Sequence, residues 1–110
     1  MEYRGIVAGG SAKANALGYP TANIPLTDSV SGIYAARVVV DGSTYAAVAF
    51  ADPSRKVLEA HLFEFSGNLY GKEISITLVE KIRDTAVFMD DDALKEAMAD
   101  DAQKARALLS

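Results

Sequence analysis

Gly32-Ile33-Tyr34-Ala35-Ala36-Arg37-Val38-Val39-Val40-Asp41-Gly42-Ser43-Thr44-Tyr45-Ala46-Ala47-Val48-Ala49-Phe50 reads as two strands and the turn between them. Side chains alternate faces along a strand. Ile33, Ala35, Arg37 and Val39 therefore share one side of Gly32–Val40, and Tyr34, Ala36, Val38 and Val40 the other. Asp41-Gly42 is a two-residue hairpin signal, because glycine takes positive φ without steric cost. Thr44–Phe50 returns as the partner strand, and Asp52-Pro53-Ser54 breaks it.

Working outward, Arg4–Ala8 is a short strand candidate, and Gly9–Ala16 is a small, polar loop without periodicity. Residues 17–25 form an extended segment around Pro20, and Thr27–Ser31 is turn-like. Val57–Phe65 and Glu73–Ile82 are further strands, separated by a turn at Ser66-Gly67-Asn68. From Asp90 the period changes. Leu94, Met98, Ala102, Ala105 and Leu109 recur at three- and four-residue steps, the stripe of an amphipathic helix. Asp90–Asp92 at its start suit the helix dipole and free N–H groups, and Lys104 and Arg106 suit its end, so the acidic cluster has a structural explanation. Several short strands with hairpin signals and then one helix argue for an antiparallel barrel or sandwich with a C-terminal helix.

The chain has 110 residues and is expected to be one domain, 1–110. Half its residues are apolar, but 19 are alanine, so its core is built from small side chains. It has no cysteine, which excludes disulfides and thiolate metal sites. Met1-Glu2-Tyr3-Arg4 lacks the basic start and apolar run of a signal peptide, and no stretch has the length of a membrane span. The expectation is a soluble, cytoplasmic protein without a membrane partner. A net charge of −4 argues against nucleic acid as a partner. A local positive field is available around Arg4, Lys13, Arg55 and Lys56.

Chemistry concentrates in two places. In Leu17-Gly18-Tyr19-Pro20-Thr21-Ala22-Asn23-Ile24-Pro25, the proline favours an extended backbone, and Thr21 and Asn23 then point to the same side. Two neutral oxygens aimed at one point suit Mg²⁺ that already carries phosphates; the competing reading is an ordinary turn or strand start. Glu59 lies mid-strand and shares a side with Val57, His61, Phe63 and Phe65, while Leu58, Ala60, Leu62 and Glu64 take the other. With both sides mainly apolar, burial of Glu59 would raise its pKa and make it a better base. The competing reading is an exposed or ion-paired strand glutamate. His61, the single histidine, is read as packed or at the surface.

The order Arg4-Gly5-Ile6-Val7, Gly9-Gly10, Leu17 to Ile24, Gly32-Ile33-Tyr34-Ala35, Leu58-Glu59-Ala60-His61-Leu62, Asn68-Leu69-Tyr70-Gly71-Lys72, Ile82-Arg83 and a helix ending near Ala105-Arg106 resembles the riboflavin kinase (flavokinase) family. The likeness runs over nearly the whole chain, and Pro20-Thr21-Ala22-Asn23 is its most specific piece. It implies a mainly β fold: a six-stranded antiparallel Greek-key β-barrel with a C-terminal α-helix. It implies a kinase that moves the ATP γ-phosphoryl to the 5′-hydroxyl of riboflavin to give FMN, with Mg²⁺. The partners implied are riboflavin and FMN, and ATP and ADP, and a monomer is expected. Glu59 would be the catalytic base. Gly5, Gly10, Lys13, Gly18, Thr21 and Asn23 would bind nucleotide, with Thr21 and Asn23 also holding the metal. Tyr70, Arg83, Asp84 and Phe88 would form the flavin side, and Phe88 and Met89 are candidates to cover the ring or to pack the start of the helix. Many bacterial relatives carry this kinase as the C-terminal half of an enzyme that also makes FAD; these 110 residues have no room for that second domain, which leaves two readings, a monofunctional protein or a domain excised from a longer one. Two departures stand out: Ala14-Asn15 where bacterial members commonly have glycine-arginine, and a short Ala51-Asp52-Pro53-Ser54-Arg55 where they have a longer segment with Arg-Pro-Thr. They motivate an alternative, a weakly active or inactive flavin- or nucleotide-binding barrel with a regulatory role. A third reading is an interaction barrel that binds neither ligand.

Overall fold

The computed structural model describes residues 1–8, 21–65, 68–86 and 88–110. Its elements are β1 (Glu2–Ile6), β2 (Ala22–Pro25), β3 (Gly32–Val40), β4 (Ser43–Asp52), β5 (Val57–Leu62), β6 (Glu73–Arg83) and the helix α1 (Asp91–Leu109). All strand pairs are antiparallel, in the order β1-β6-β3-β4-β5-β2. Strands β3, β4 and β5 follow one another, and β6 returns beside β3, which is the Greek-key arrangement. The outer strands β1 and β2 meet, nearly closing a barrel. At this seam the Ala8 N–H donates to the Asn23 carbonyl at 3.0 Å. Gly5 lets the two backbones approach, since a Cβ there would lie 3.1 Å from Ile24 Cβ.

The hairpin forms where the sequence places it. Asp41 and Gly42 both have positive φ (50° and 81°), and Val40 pairs with Ser43. Along β3, Ala36, Val38 and Val40 are buried inside the barrel with Leu58, Ile74 and Ile76. The opposite side is buried only in its first half, where α1 covers it. Ala35, Phe63, Ala102 and Ala105 form this second apolar layer, and its alanines let helix and sheet approach closely. Asp90 caps α1 by accepting from the Ala93 N–H at 2.8 Å.

Several boundaries differ from the sequence reading: β4 runs Ser43–Asp52, taking in Asp52 that was read as the break, and β6 runs one residue further, to Arg83. β1 begins at Glu2 and ends at Ile6, two residues ahead of Arg4–Ala8. β5 stops at Leu62 instead of Phe65, because Glu64 takes a left-handed conformation (φ 56°) that ends the pleat. Glu64 therefore does not continue the inward row of Leu58, Ala60 and Leu62. Among the described residues, no helix is long and apolar enough to cross a membrane.

Candidate active site

Strand register brings the two chemical segments together. Asn23 on β2 lies opposite Glu59 on β5, and Glu59 lies opposite Phe50 on β4. Thr21, one residue before β2, donates its hydroxyl to Glu59 Oε1 at 3.1 Å. Glu59 is only 4% exposed. Burial holds its carboxyl above the usual carboxylate range, while the Thr21 hydrogen bond and the Arg55 charge pull the other way.

Asn23 presents a buried Oδ1 with no hydrogen-bond partner among the described residues. A buried acceptor left bare costs about 1–3 kcal/mol, so this oxygen is a candidate to accept from, or coordinate, a bound group. With the Thr21 hydroxyl it offers two neutral oxygens beside a carboxylate, a donor set that fits a hard cation bringing its own phosphates and waters. Among the described residues, no group of three or more carboxylate or imidazole side chains stands ready to hold a metal by itself.

Arg55 reaches the other carboxylate oxygen, with Nη2 3.1 Å from Glu59 Oε2. It comes from the short turn between β4 and β5. Asp52 organises that turn, its Oδ1 accepting from the Ser54 N–H (3.1 Å), the Ser54 hydroxyl (2.7 Å) and the Arg55 N–H (3.3 Å). These bonds, the Ser54 hydroxyl foremost, hold the Asp52 carboxyl below its ordinary range. The short segment that departs from the family pattern is thus an ordered turn that carries a cation to Glu59.

Glu59, Thr21 and Arg55 stand on the wall of a cavity of about 200 Å³ between the outer face of the sheet and the first half of α1. Phe50, Phe88, Leu94 and Met98 make it apolar. Its far wall is a fork-to-fork ion pair: Arg83 Nε and Nη2 donate to the two oxygens of Asp101 at 2.8 and 2.7 Å. The Arg83 guanidinium also lies 5.4 Å from the centre of the Phe88 ring, which places the aromatic plane over the polar wall.

The structure thus gathers Thr21, Asn23, Glu59, Arg83 and Phe88 at one place. It places other expected residues elsewhere. Tyr70 is 69% exposed and does not line the cavity. Asp84 is exposed and paired with Lys81, and Met89 points into solvent. Gly5 sits at the barrel seam. Gly10, Lys13, Gly18 and the Ala14-Asn15 departure lie outside the described residues. Sequence reasoning named Arg55 only as part of a local positive field, and it missed Asp101 and the place of His61, Leu94 and Met98 on the cavity wall. One signal was present: Asp101 sits inside the helix stripe beside Met98 and Ala102, where a solvated carboxylate has no place.

Residues 1–109 match the model of the flavokinase family, described as riboflavin kinase. The chain is 34% identical over 114 residues to the bifunctional riboflavin kinase/FMN adenylyltransferase of Pseudomonas fluorescens, covering 94% of this chain and 37% of that protein. Among solved structures it resembles a protein titled macrolide-efflux protein from Streptococcus pneumoniae (TM-score 0.82, 28% identity, 96% of this chain and 38% of that one). It also resembles riboflavin kinase from Trypanosoma brucei (TM-score 0.69, 26% identity, 98% of this chain and 78% of that one). The chain spans little more than a third of the length of the bifunctional relative.

Proposed function

The chain belongs to the riboflavin kinase family, and on that premise we propose that it transfers the γ-phosphoryl group of ATP to the 5′-hydroxyl of riboflavin, yielding FMN and ADP. The observation that carries this reading is the buried Glu59 carboxylate, bonded to Thr21 and opposite Asn23 in strand register, whose Oδ1 has no partner among the described residues, beside an apolar cavity.

Phosphoryl transfer needs an aligned acceptor oxygen, a base at its proton and positive charge on the phosphates. Glu59 fits the base: its lifted pKa favours taking the hydroxyl proton as the oxygen attacks phosphorus and the bond to the β-phosphate breaks. Thr21 Oγ1 and Asn23 Oδ1 are the residues that would hold Mg²⁺. When bound, Mg²⁺ would neutralise charge on the terminal phosphates. The flat flavin ring suits the apolar wall of Phe50, Phe88, Leu94 and Met98. That wall lies next to Glu59, so a seated ring directs the ribityl chain toward the base. The proposal extends to residues 1–110 acting as one kinase domain, as a monomer, and to a cytoplasmic setting in keeping with the absence of cysteine.

The test is FMN formation from riboflavin and MgATP, resolved by chromatography, in the parent and in Glu59→Gln. The parent is expected to make FMN, and the variant to keep riboflavin binding while kcat falls on the order of 10²–10⁴-fold. A parent that binds riboflavin and makes no FMN refutes the kinase reading, and an unchanged rate in Glu59→Gln removes Glu59 from the chemistry.

A further inference from the structure

Arg55 has no task in the scheme above, yet the turn that carries it is closely held and aims it at Glu59. Three bonds to Asp52 Oδ1 fix the turn that carries it. Next to it, Lys56 has φ 57°, and the Lys56 carbonyl accepts from the Leu26 N–H at 3.0 Å. This ties the turn to the chain just beyond β2, the strand of Asn23. The guanidinium spans two carboxylates, with Nη2 3.1 Å from Glu59 and Nε 3.4 Å from Asp52. Even so, its side chain is 56% exposed, and the fork keeps N–H donors on the open side.

Geometry limits what those donors can meet. A hydroxyl giving its proton to Glu59 sits one hydrogen bond from the carboxylate, and the phosphorus it attacks lies about 3–3.5 Å beyond in a near-attack arrangement. A guanidinium one hydrogen bond from the same carboxylate is therefore within reach of that phosphorus atom's oxygens. Among the described residues, the other cation on the cavity wall, Arg83, is committed to Asp101.

We propose that Arg55 is a catalytic residue that recognises the nucleotide's terminal phosphoryl group. With no nucleotide it holds Glu59; when a triphosphate is seated, the guanidinium moves onto the γ-phosphoryl oxygens and releases the carboxylate to the riboflavin hydroxyl. One bond forms, from the riboflavin 5′-oxygen to phosphorus. One breaks, from that phosphorus to the β-phosphate oxygen, and ADP leaves. The hydroxyl proton goes to Glu59. The inference rests on the kinase reading for its chemistry but makes a separate claim, that Arg55 distinguishes a triphosphate from a diphosphate.

The test measures binding of ADP and of a non-hydrolysable ATP analogue by calorimetry with Mg²⁺, in the parent, Arg55→Ala, Arg55→Lys, Glu59→Gln and the Glu59→Gln/Arg55→Ala pair, with FMN formation alongside. Arg55→Ala is expected to lower kcat on the order of 10³-fold, as for other arginines placed on a transferring phosphoryl group. It should weaken the analogue roughly tenfold or more and leave ADP and riboflavin within about twofold. Arg55→Lys should recover part of the analogue affinity, since it keeps the charge and loses the fork. The selective loss should persist in the Glu59→Gln background. If it vanishes there, Arg55 acts only by holding Glu59 and the proposal falls. Equal weakening of both nucleotides also overturns it. A parent that makes no FMN sinks the kinase reading, and the analogue-to-ADP affinity ratio then decides Arg55 by itself.

Discussion

Replacing Asp101 by alanine removes the carboxylate that joins α1 to the end of β6. Asp101 is 6% exposed and Arg83 26% exposed at their side chains, and the pair makes two short parallel bonds. Deleting one member of a buried pair strands the other charge and costs about 3–5 kcal/mol. The lower end applies here, because Arg83 keeps a bond to the Asp84 carbonyl at 3.0 Å and its place near Phe88. Unfolding entropy of about 2.1 cal/mol/K per residue gives roughly 230 cal/mol/K for this chain, so a loss of ~3 kcal/mol lowers the melting temperature by about 13 °C. Urea unfolding followed by circular dichroism measures it, with equal m-values as the condition for comparing free energies. An apolar pair, Arg83→Met with Asp101→Leu, should recover most of the stability, because neither residue then buries an uncompensated charge. Riboflavin binding should suffer in both variants, since both change the cavity wall. A loss below about 1 kcal/mol in Asp101→Ala, or an apolar pair no more stable than the single variant, would refute the assignment of this bridge as the tie between helix and barrel.

Three other outcomes are expected. Thr21→Ala and Asn23→Ala should each weaken use of the Mg-nucleotide on the order of tenfold or more, the worth of a contact to a charged group, with riboflavin affinity kept; equal loss of both ligands points to a folding defect. Gly5→Ala should cost ~1–3 kcal/mol by overpacking, because the new Cβ meets an Ile24 atom that no rotamer can move; an unchanged melting temperature would show that the seam has slack. The rate should fall as pH drops through the raised pKa of Glu59, with the acidic limb above the ordinary value of 4.5 and absent from the residual activity of Glu59→Gln. The same shift has a stability sign. Between the ordinary and raised values the folded state binds the extra proton, so stability declines as pH rises through that window, and Glu59→Gln should be more stable than the parent above it.

The strands that meet at Asp41-Gly42 were legible because alternation and turn chemistry agree there. Glu59 was singled out by the resemblance, with apolar neighbours on both sides as support; it is buried as that support implied, and also paired with Arg55 as the competing reading had it. The end of β5 was not legible, since nothing in Val57–Phe65 announces a left-handed Glu64. The helix stripe was read correctly as a stripe and only partly as to its use. Ala102 and Ala105 are small enough to press against the sheet, whereas Leu94 and Met98, on the same side, stand over the gap that becomes the cavity. Arg55 was named only as part of a diffuse positive field, because its reach to Glu59 depends on a turn held by Asp52 that alternation does not encode. Tyr70 was placed by resemblance alone, without a periodicity or burial argument, and it stands in solvent.

Strand β5 serves two surroundings in one short segment. Leu58, Ala60 and Leu62 face the barrel interior and answer to how much folded protein accumulates. Glu59 and His61, interleaved with them, face the cavity, and on the proposed function Glu59 would answer to turnover. Selection can therefore act on neighbouring codons for different reasons. One parity of the strand can drift toward a tighter or looser core while the other is held for chemistry, and a lineage can lose catalysis here without losing the barrel.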